Sequence, residues 1–317
     1  MTTPVFATDQ ILCFDETGPA PCPDLGQDGE VRAGPPWPLP RFELRDLVAR
    51  DLLTGLSWPK DASFFEFPAS FPEALDLVEG MNRQGGLGHS DWRLPARREL
   101  FSLVSHARIN PCLPRGHPFT SVFSSYHWTS ESVARLPDQA WYVHLGGARV
   151  FKGMKQASYM VWPVRGQSAV IPAGTGAGGP GALWPEPRFE ARGNEVADRL
   201  TGLAWTACAD LAQGPVSWTE ALALCRGLDP PGAWRLPNIR ELESLTDLSA
   251  HTPALALGHP FINPGKGYWS STTSAYDPAY AWTLYTDDGI MGVGYKKNPE
   301  FLAWAVRGNE NRPGGQG

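Results

Sequence analysis

The residues of this chain best suited to chemistry come in matched pairs. Glu99 and Glu241 each stand at a helix start, where a carboxylate can cap orphan backbone N–H groups or act as an acid or base. Arg93 and Arg235 precede Leu-Pro just upstream. They are placed to bind an anionic ligand or to tie helix to sheet through an ion pair with such a Glu. His117 and His259 occupy equivalent His-Pro-Phe turns with no serine or cysteine motif to serve, and read as turn packing. No Gly-x-Ser-x-Gly elbow, His-Glu-x-x-His pair, phosphate loop or dinucleotide fingerprint is present. Capping and packing account for these groups, and a non-enzymatic protein is expected.

Sulfur and calcium chemistry come next. Cys13 and Cys22 bracket a short Gly/Pro segment, and Cys208 and Cys225 bracket one loop and one helix. Both pairs read as local disulfides, with Cys112 as the odd thiol; buried reduced cysteines are the alternative. Asp24-x-Gly26-x-Asp28-Gly29 resembles the start of a calcium loop but lacks its later ligands. No other metal or cofactor is implied.

The pairing extends along the whole chain. Pro40-Arg41-Phe42 returns as Pro187-Arg188-Phe189, Thr54-Gly55-Leu56-x-Trp58 as Thr201-Gly202-Leu203-x-Trp205, and Trp92-Arg93-Leu94-Pro95 as Trp234-Arg235-Leu236-Pro237. His117-Pro118-Phe119 and Val164-Arg165-Gly166 also recur. So long a period is that of a domain, since solenoid repeats run about 20–50 residues. The expected organisation is a leader at 1–40, domain one at 41–166, a linker at 167–187, domain two at 188–308 and a disordered tail at 309–317. The leader is expected to pack on domain one.

Within each copy the order is strand, helix, turn, helix, then an aromatic antiparallel sheet. Ser70 with Glu73 and Ser217 with Glu220 form capping boxes that start the first helix. Trp58, Trp92, Trp205 and Trp234 are expected inside. Gly146-Gly147 and Asp288-Gly289 mark hairpins.

The net charge of −6 argues against general nucleic-acid binding. Residues 41–166 carry 15 basic and 12 acidic side chains, whereas 188–308 carry 10 and 13, so the copies need not share a ligand. No apolar run has the length of a membrane helix, and residues 1–12 lack a signal-peptide pattern. The cysteines favour an exported protein, extracellular, on the cell surface or periplasmic, with the cytoplasm as alternative.

Taken together, these blocks resemble the Lcl C-terminal domain family of bacterial surface and secreted proteins. Copy two matches every block. Copy one departs at Tyr126-His127-Trp128-Thr129-Ser130 and at Gly146-Gly147. The resemblance implies an α+β fold of two tandem C-type-lectin-like domains, each with two helices packed on small twisted antiparallel sheets. For the collagen-like adhesin that names the family, it implies binding of sulfated host polysaccharide. A glycan or protein ligand is therefore expected on the loop faces. In domain two the candidates are Tyr276, Asp277, Tyr280, Tyr285, Asp287, Lys296 and Lys297, suited to stacking and hydrogen bonding. In domain one they are Arg135, Arg149, Lys152 and Lys155, suited to an anionic polysaccharide. Two alternatives stand beside this adhesin-like reading. One is a scaffold component contacting other subunits of a surface assembly; the other is an enzyme on a fold like that of formylglycine-generating enzymes.

Overall fold

The computed structural model describes residues 2–15, 17–22, 24–172 and 181–308; the expected tail at 309–317 and the middle of the linker lie outside them. The leader holds β1 (Cys13–Phe14), β2 (Pro19–Ala20) and α1 (Asp28–Val31). The first copy holds β3 (Phe42–Arg45), β4 (Val48–Asp51), β5 (Ser57–Pro59), α2 (Phe71–Arg83), α3 (Arg97–Ser102), β6 (Tyr126–Val133), β7 (Leu136–His144) and β8 (Val150–Met154). The second holds β9 (Phe189–Arg192), β10 (Glu195–Asp198), β11 (Leu203–Thr206), α4 (Trp218–Arg226) and α5 (Ile239–Ser244). It continues with β12 (Gly267–Thr273), β13 (Tyr280–Tyr285), β14 (Ile290–Tyr295) and β15 (Val306–Gly308). This is a mixed α+β architecture of short helices and small antiparallel sheets. Contacts divide it into two compact units: Pro36–Leu183 with Ile290–Gly292, and Met1–Pro35, Trp184–Gly289 with Val293–Gly317.

In the first copy β3, β4 and β5 form an antiparallel sheet, and β6, β7 and β8 a second one. The carboxylate of Glu73 accepts from Ser70 N at 2.8 Å and Ser70 Oγ at 2.7 Å, which starts α2. The inward face of α2 places Phe71, Ala74, Val78 and Met81 against Trp92, Leu94, Trp128 and Val161. In the second copy Trp218, Ala221, Leu222 and Cys225 of α4 pack against Trp234, Leu236, Trp269 and Phe301. Trp58 and Trp205 are fully enclosed, each against a tryptophan of the closing segment, Trp162 and Trp304.

The repeated motifs are clamps. Arg41 grips Asp51 with two hydrogen bonds, at 3.1 and 2.8 Å, and reaches Ser102 O at the end of α3. Arg188 does the same with Asp198, at 3.0 and 2.7 Å, and with Ser244 O at the end of α5. Trp37 and Trp184 cover the two guanidinium groups at 4.4 and 4.2 Å. The aspartates are fully buried, so each pair is held out of water, where losing one partner strands the other charge. That is the physical content of the recurring Pro-Arg-Phe and Thr-Gly-Leu strings.

Two expectations are corrected here. The leader belongs to the unit of the second copy, not the first. It is pinned there by Thr3 N to Leu200 O at 2.6 Å, by both ends of the Gln10 amide to the backbone of Thr273, and by Asp28 to Thr272. The second correction concerns sulfur. Cys13 and Cys22 form a disulfide, while Cys208 and Cys225 are free thiols. Cys225 points from α4 into the apolar core, where burial pushes its thiol pKa up, and Cys208 donates to Asp210 O at 3.3 Å. Helix periodicity turns Cys225 inward with Trp218, Ala221 and Leu222. The Cys13–Cys22 bond points to an oxidising, extracytoplasmic environment. No helix among the described residues is long and apolar enough to cross a membrane.

Candidate functional site

Arg93 and Glu99 form a two-pronged pair at 2.6 and 2.7 Å, and Glu99 also accepts from Ala96 N at the start of α3. Arg235 and Glu241 repeat the arrangement at 2.6 and 2.5 Å, with Asn238 N as the backbone donor. Both carboxylates are fully engaged in tying a helix start to the Trp-Arg-Leu-Pro segment. His117 and His259 pack against Phe119 and Phe261, and partial burial lowers both imidazole pKa values.

The four basic candidates of domain one do not form a patch. Arg135 sits in the turn between β6 and β7, and Arg149 lies beside His144 at the other end of β7. The nine-residue β7 separates them by roughly 30 Å at the usual strand rise. Lys152 lies opposite Trp141, and Lys155 turns its ammonium over Phe71 at 5.2 Å. In domain two, the Tyr280 ring lies tilted against Tyr295 at 5.5 Å, next in sequence to Lys296, and exposed Tyr276 and Asp277 occupy the loop before β13. Tyr285 and Asp287 lie at the far end of that strand. Lys296 is buried, with Nζ 4.0 Å over Trp218 and bonded to Thr273 Oγ1 at 3.0 Å, while Lys297 is exposed.

The two acids of the calcium-like string do not face one site. Asp24 is exposed and pairs with Arg226 at 2.6 Å, whereas buried Asp28 accepts from Thr8 and Thr272 at 2.7 and 2.6 Å. The two acids serve different partners. No group of three or more His, Cys, Asp or Glu that could hold a metal occurs among the described residues.

What the structure does bring together is a set of rings on domain one. Register places Tyr126 opposite His144, Trp128 opposite Tyr142, and Tyr142 opposite Phe151, so these residues share one face of the β6–β8 sheet. Tyr126 contacts Tyr142 at 4.8 Å, His144 at 4.9 Å and Tyr159 at 5.1 Å. Tyr142 contacts Tyr159 at 5.1 Å and Phe151 at 6.3 Å. Gly153 makes room, since a Cβ there would lie 2.5 Å from the Tyr159 hydroxyl. The cluster runs from core Trp128, 4.4 Å from Tyr159, out to Tyr126 and Phe151, which are 41% and 42% exposed. Partial burial and the neighbouring phenols push the Tyr142 pKa up to about 12, so it stays a hydroxyl donor. Exposed Arg149 stands at the rim, close enough to His144 to help burial lower its pKa.

Single-residue reading missed this face because Tyr126, Tyr142 and Tyr159 each look like strand core. A signal was available in the differences between the copies. Equivalent bonds from Trp128 to Met160 O and Ala69 O, and from Trp269 to Leu302 O and Val216 O, fix the alignment. By it, Tyr126, Tyr142 and Phe151 correspond to Gly267, Thr283 and Gly292.

Elsewhere on domain one a cleft of about 660 Å³ is lined by Arg45, Asp46, Arg50, His89 and Arg165. Arg45 and Arg165 are already paired with Glu43 and Asp91.

A model of the Lcl C-terminal domain matches residues 47–165 and again 194–307, and the chain belongs to that family as two tandem copies. No curated protein matches the chain.

Proposed function

We propose that this is a non-enzymatic, exported binding protein with C-type-lectin-like domains, and that it recognises glycan through the aromatic face of its first domain. The observation that carries the reading is the half-exposed cluster of Tyr126, Tyr142, Phe151 and Tyr159, with Arg149 at its rim. Aromatic faces pack against the C–H face of a sugar ring, phenol hydroxyls exchange hydrogen bonds with sugar hydroxyls, and few rotamers are lost on binding. The rim guanidinium favours acidic sugars. A glycan array followed by calorimetric titration tests this. Tyr126→Ala combined with Phe151→Ala is expected to weaken binding at least tenfold while the melting temperature of the chain holds. Undiminished binding by a folded double variant rejects the reading.

A scaffold role contacting partner chains draws on one separate feature. Phe64, Phe65, Leu77 and Met81 line a groove of about 490 Å³ beside α2, and nearby Phe67 is 73% exposed. Phe67→Ser would then lose partner capture in a pull-down without altering glycan binding.

A further inference from the structure

The tip of the β7–β8 hairpin is built around the imidazole of His144. Gly147 N donates to its Nδ1 at 3.1 Å, so Nδ1 is the bare acceptor nitrogen and the proton sits on Nε2. Half-burial and the neighbouring Arg149 lower the imidazole pKa, which keeps the ring neutral and the acceptor in place. Gly146 gives the ring its space: a Cβ there would lie 2.8 Å from His144 Cε1 and 3.1 Å from Ser124 O. Gly146 is not among the glycines with positive φ, so its missing side chain serves room rather than backbone freedom. In the second copy Gly289 N bonds to Tyr285 O as Ala148 N bonds to His144 O. That sets Tyr285, Asp287 and Asp288 against His144, Gly146 and Gly147, and the second copy has neither the imidazole nor the space for it.

The polar groups of this face are open to a ligand. Among the described residues nothing hydrogen-bonds His144 Nε2, the guanidinium of Arg149, or the hydroxyls of Tyr126, Tyr142 and Tyr159. The Nε2 of His127 is enclosed without a partner, whereas that of His144 is not enclosed and reaches solvent. The His144 ring lies 4.9 Å from the Tyr126 ring. The charge of Arg149 acts on both His144 and Tyr142, which places its guanidinium beside the same rings. A neutral N–H donor and a free cation thus stand at one edge of an aromatic platform. The rings suit the C–H face of a pyranose, and the two donors suit one anionic group carried on it. A sugar ring with a carboxylate, a hexuronate, combines the two.

Resting on the glycan reading of this face, we propose that His144 is its specificity-determining residue: Nε2–H, together with Arg149, receives the carboxylate of a hexuronate unit and selects it over the neutral sugar. The probes are short oligomers of glucuronate, galacturonate and mannuronate, each titrated by calorimetry into the full oxidised chain against its methyl ester. At least one acid is expected to bind at least tenfold more tightly than its ester. His144→Asn keeps an acceptor near Nδ1 for Gly147 N–H but lacks the Nε2 donor. It is expected to remove about tenfold of that preference, the usual worth of a hydrogen bond to a charged group, with the melting temperature held. His144→Gln, which can bring an amide N–H near Nε2, should restore part of it.

Nitrogen-15 spectra of the imidazole give a reading that a merely structural histidine would not move. The free chain at neutral pH should show Nδ1 bare and Nε2 protonated, and the Nε2 signal should shift with the acid and not with the ester. The proposal is overturned if no acid is preferred over its ester, if His144→Asn keeps the preference, or if Nε2 does not respond. The glycan reading fails on a different result, undiminished glycan binding by the folded Tyr126→Ala, Phe151→Ala variant. A silent His144 with binding that still needs those rings would remove the role of His144 alone.

Discussion

The two copies are the same scaffold with different surfaces, and the division between shared and unshared residues follows burial. Arg41–Asp51 and Arg188–Asp198, Arg93–Glu99 and Arg235–Glu241, and Trp58 and Trp205 recur with the same partners. What differs lies on one sheet face and at one helix start. The first copy carries Tyr126, Tyr142 and Phe151 where the second has Gly267, Thr283 and Gly292. At Gly267 a side chain could not return without a shift, because a Cβ would sit 2.8 Å from the Phe301 ring. Tyr285 takes the place of His144 and packs on Phe301 at 5.4 Å. The clamps that hold the fold are common to both copies, and the three rings belong to the first alone.

The second difference explains where the leader docks. In the first copy Glu131 follows Ser130, and its carboxylate accepts Arg97 N at 3.0 and 2.8 Å at the head of α3. Its counterpart is Thr272, whose hydroxyl accepts from Ile239 N at the head of α5 and donates to Asp28. The leader thus brings a carboxylate to the second copy that the first carries in its own strand. In the first copy the equivalent position already holds the Glu131 carboxylate, so the seat that Thr272 gives Asp28 has no equivalent there.

The largest expected effect breaks the shared part. Asp198→Ala leaves the buried Arg188 guanidinium without its partner and is expected to cost about 3–5 kcal/mol, with Asp51→Ala costing the same in the first copy. Chemical denaturation of both variants measures this. If one is silent, the copies are not equivalent scaffolds.

Next in size is Asp28. Burial, offset in part by the Thr272 and Thr8 hydroxyls, raises its pKa to about 6 in the folded chain, with Glu241 raising and Arg235 lowering it further off. The folded state therefore holds the proton more tightly than the unfolded one. Its contribution is fully present below the ordinary carboxyl range and fades as pH rises through about 6, a loss of ~3 kcal/mol at 1.36 kcal/mol per pKa unit. Hydrogen exchange of leader amides between pH 4 and 7.5 should show docking weaken as pH rises, and Asp28→Asn should flatten the profile. An unchanged profile in that variant would place the pH dependence elsewhere.

How much of this was legible in the sequence follows from the same division. The repeated strings named the family, the two-domain order, the helix starts and the Arg–Glu geometry, because local capping and clamp motifs carry their partners within a few residues. The leader's seat was not legible. Asp28 meets Thr272 across 244 residues, and nothing near either one announces the other. The Cys208–Cys225 pairing failed because spacing says nothing of the side of the helix that a cysteine faces. The spread of the basic candidates was hidden for a related reason: Arg135 and Arg149 are close in sequence, but an extended strand holds them apart. Strand register decides which rings share a face, and register is a tertiary fact.

The smallest effect is also the finest test of the comparison. The residue before α5 is Asn238, whose Oδ1 accepts Glu241 N at 2.9 Å and whose Nδ2 reaches Ala33 O of the leader at 3.5 Å. Its counterpart before α3 is Ala96, which has no side-chain oxygen to offer. Asn238→Ala should therefore cost about 1 kcal/mol, the usual worth of a helix N-cap, and should loosen the leader slightly. The reverse change, Ala96→Asn, offers the first copy the same cap to Glu99 N but no leader carbonyl. Its gain should fall short of the loss at Asn238. Thermal denaturation of the two variants decides the matter: equal and opposite shifts would mean that the leader contact adds nothing to the cap, whereas a smaller gain at Ala96 would tie the cap of the second copy to the segment docked on it.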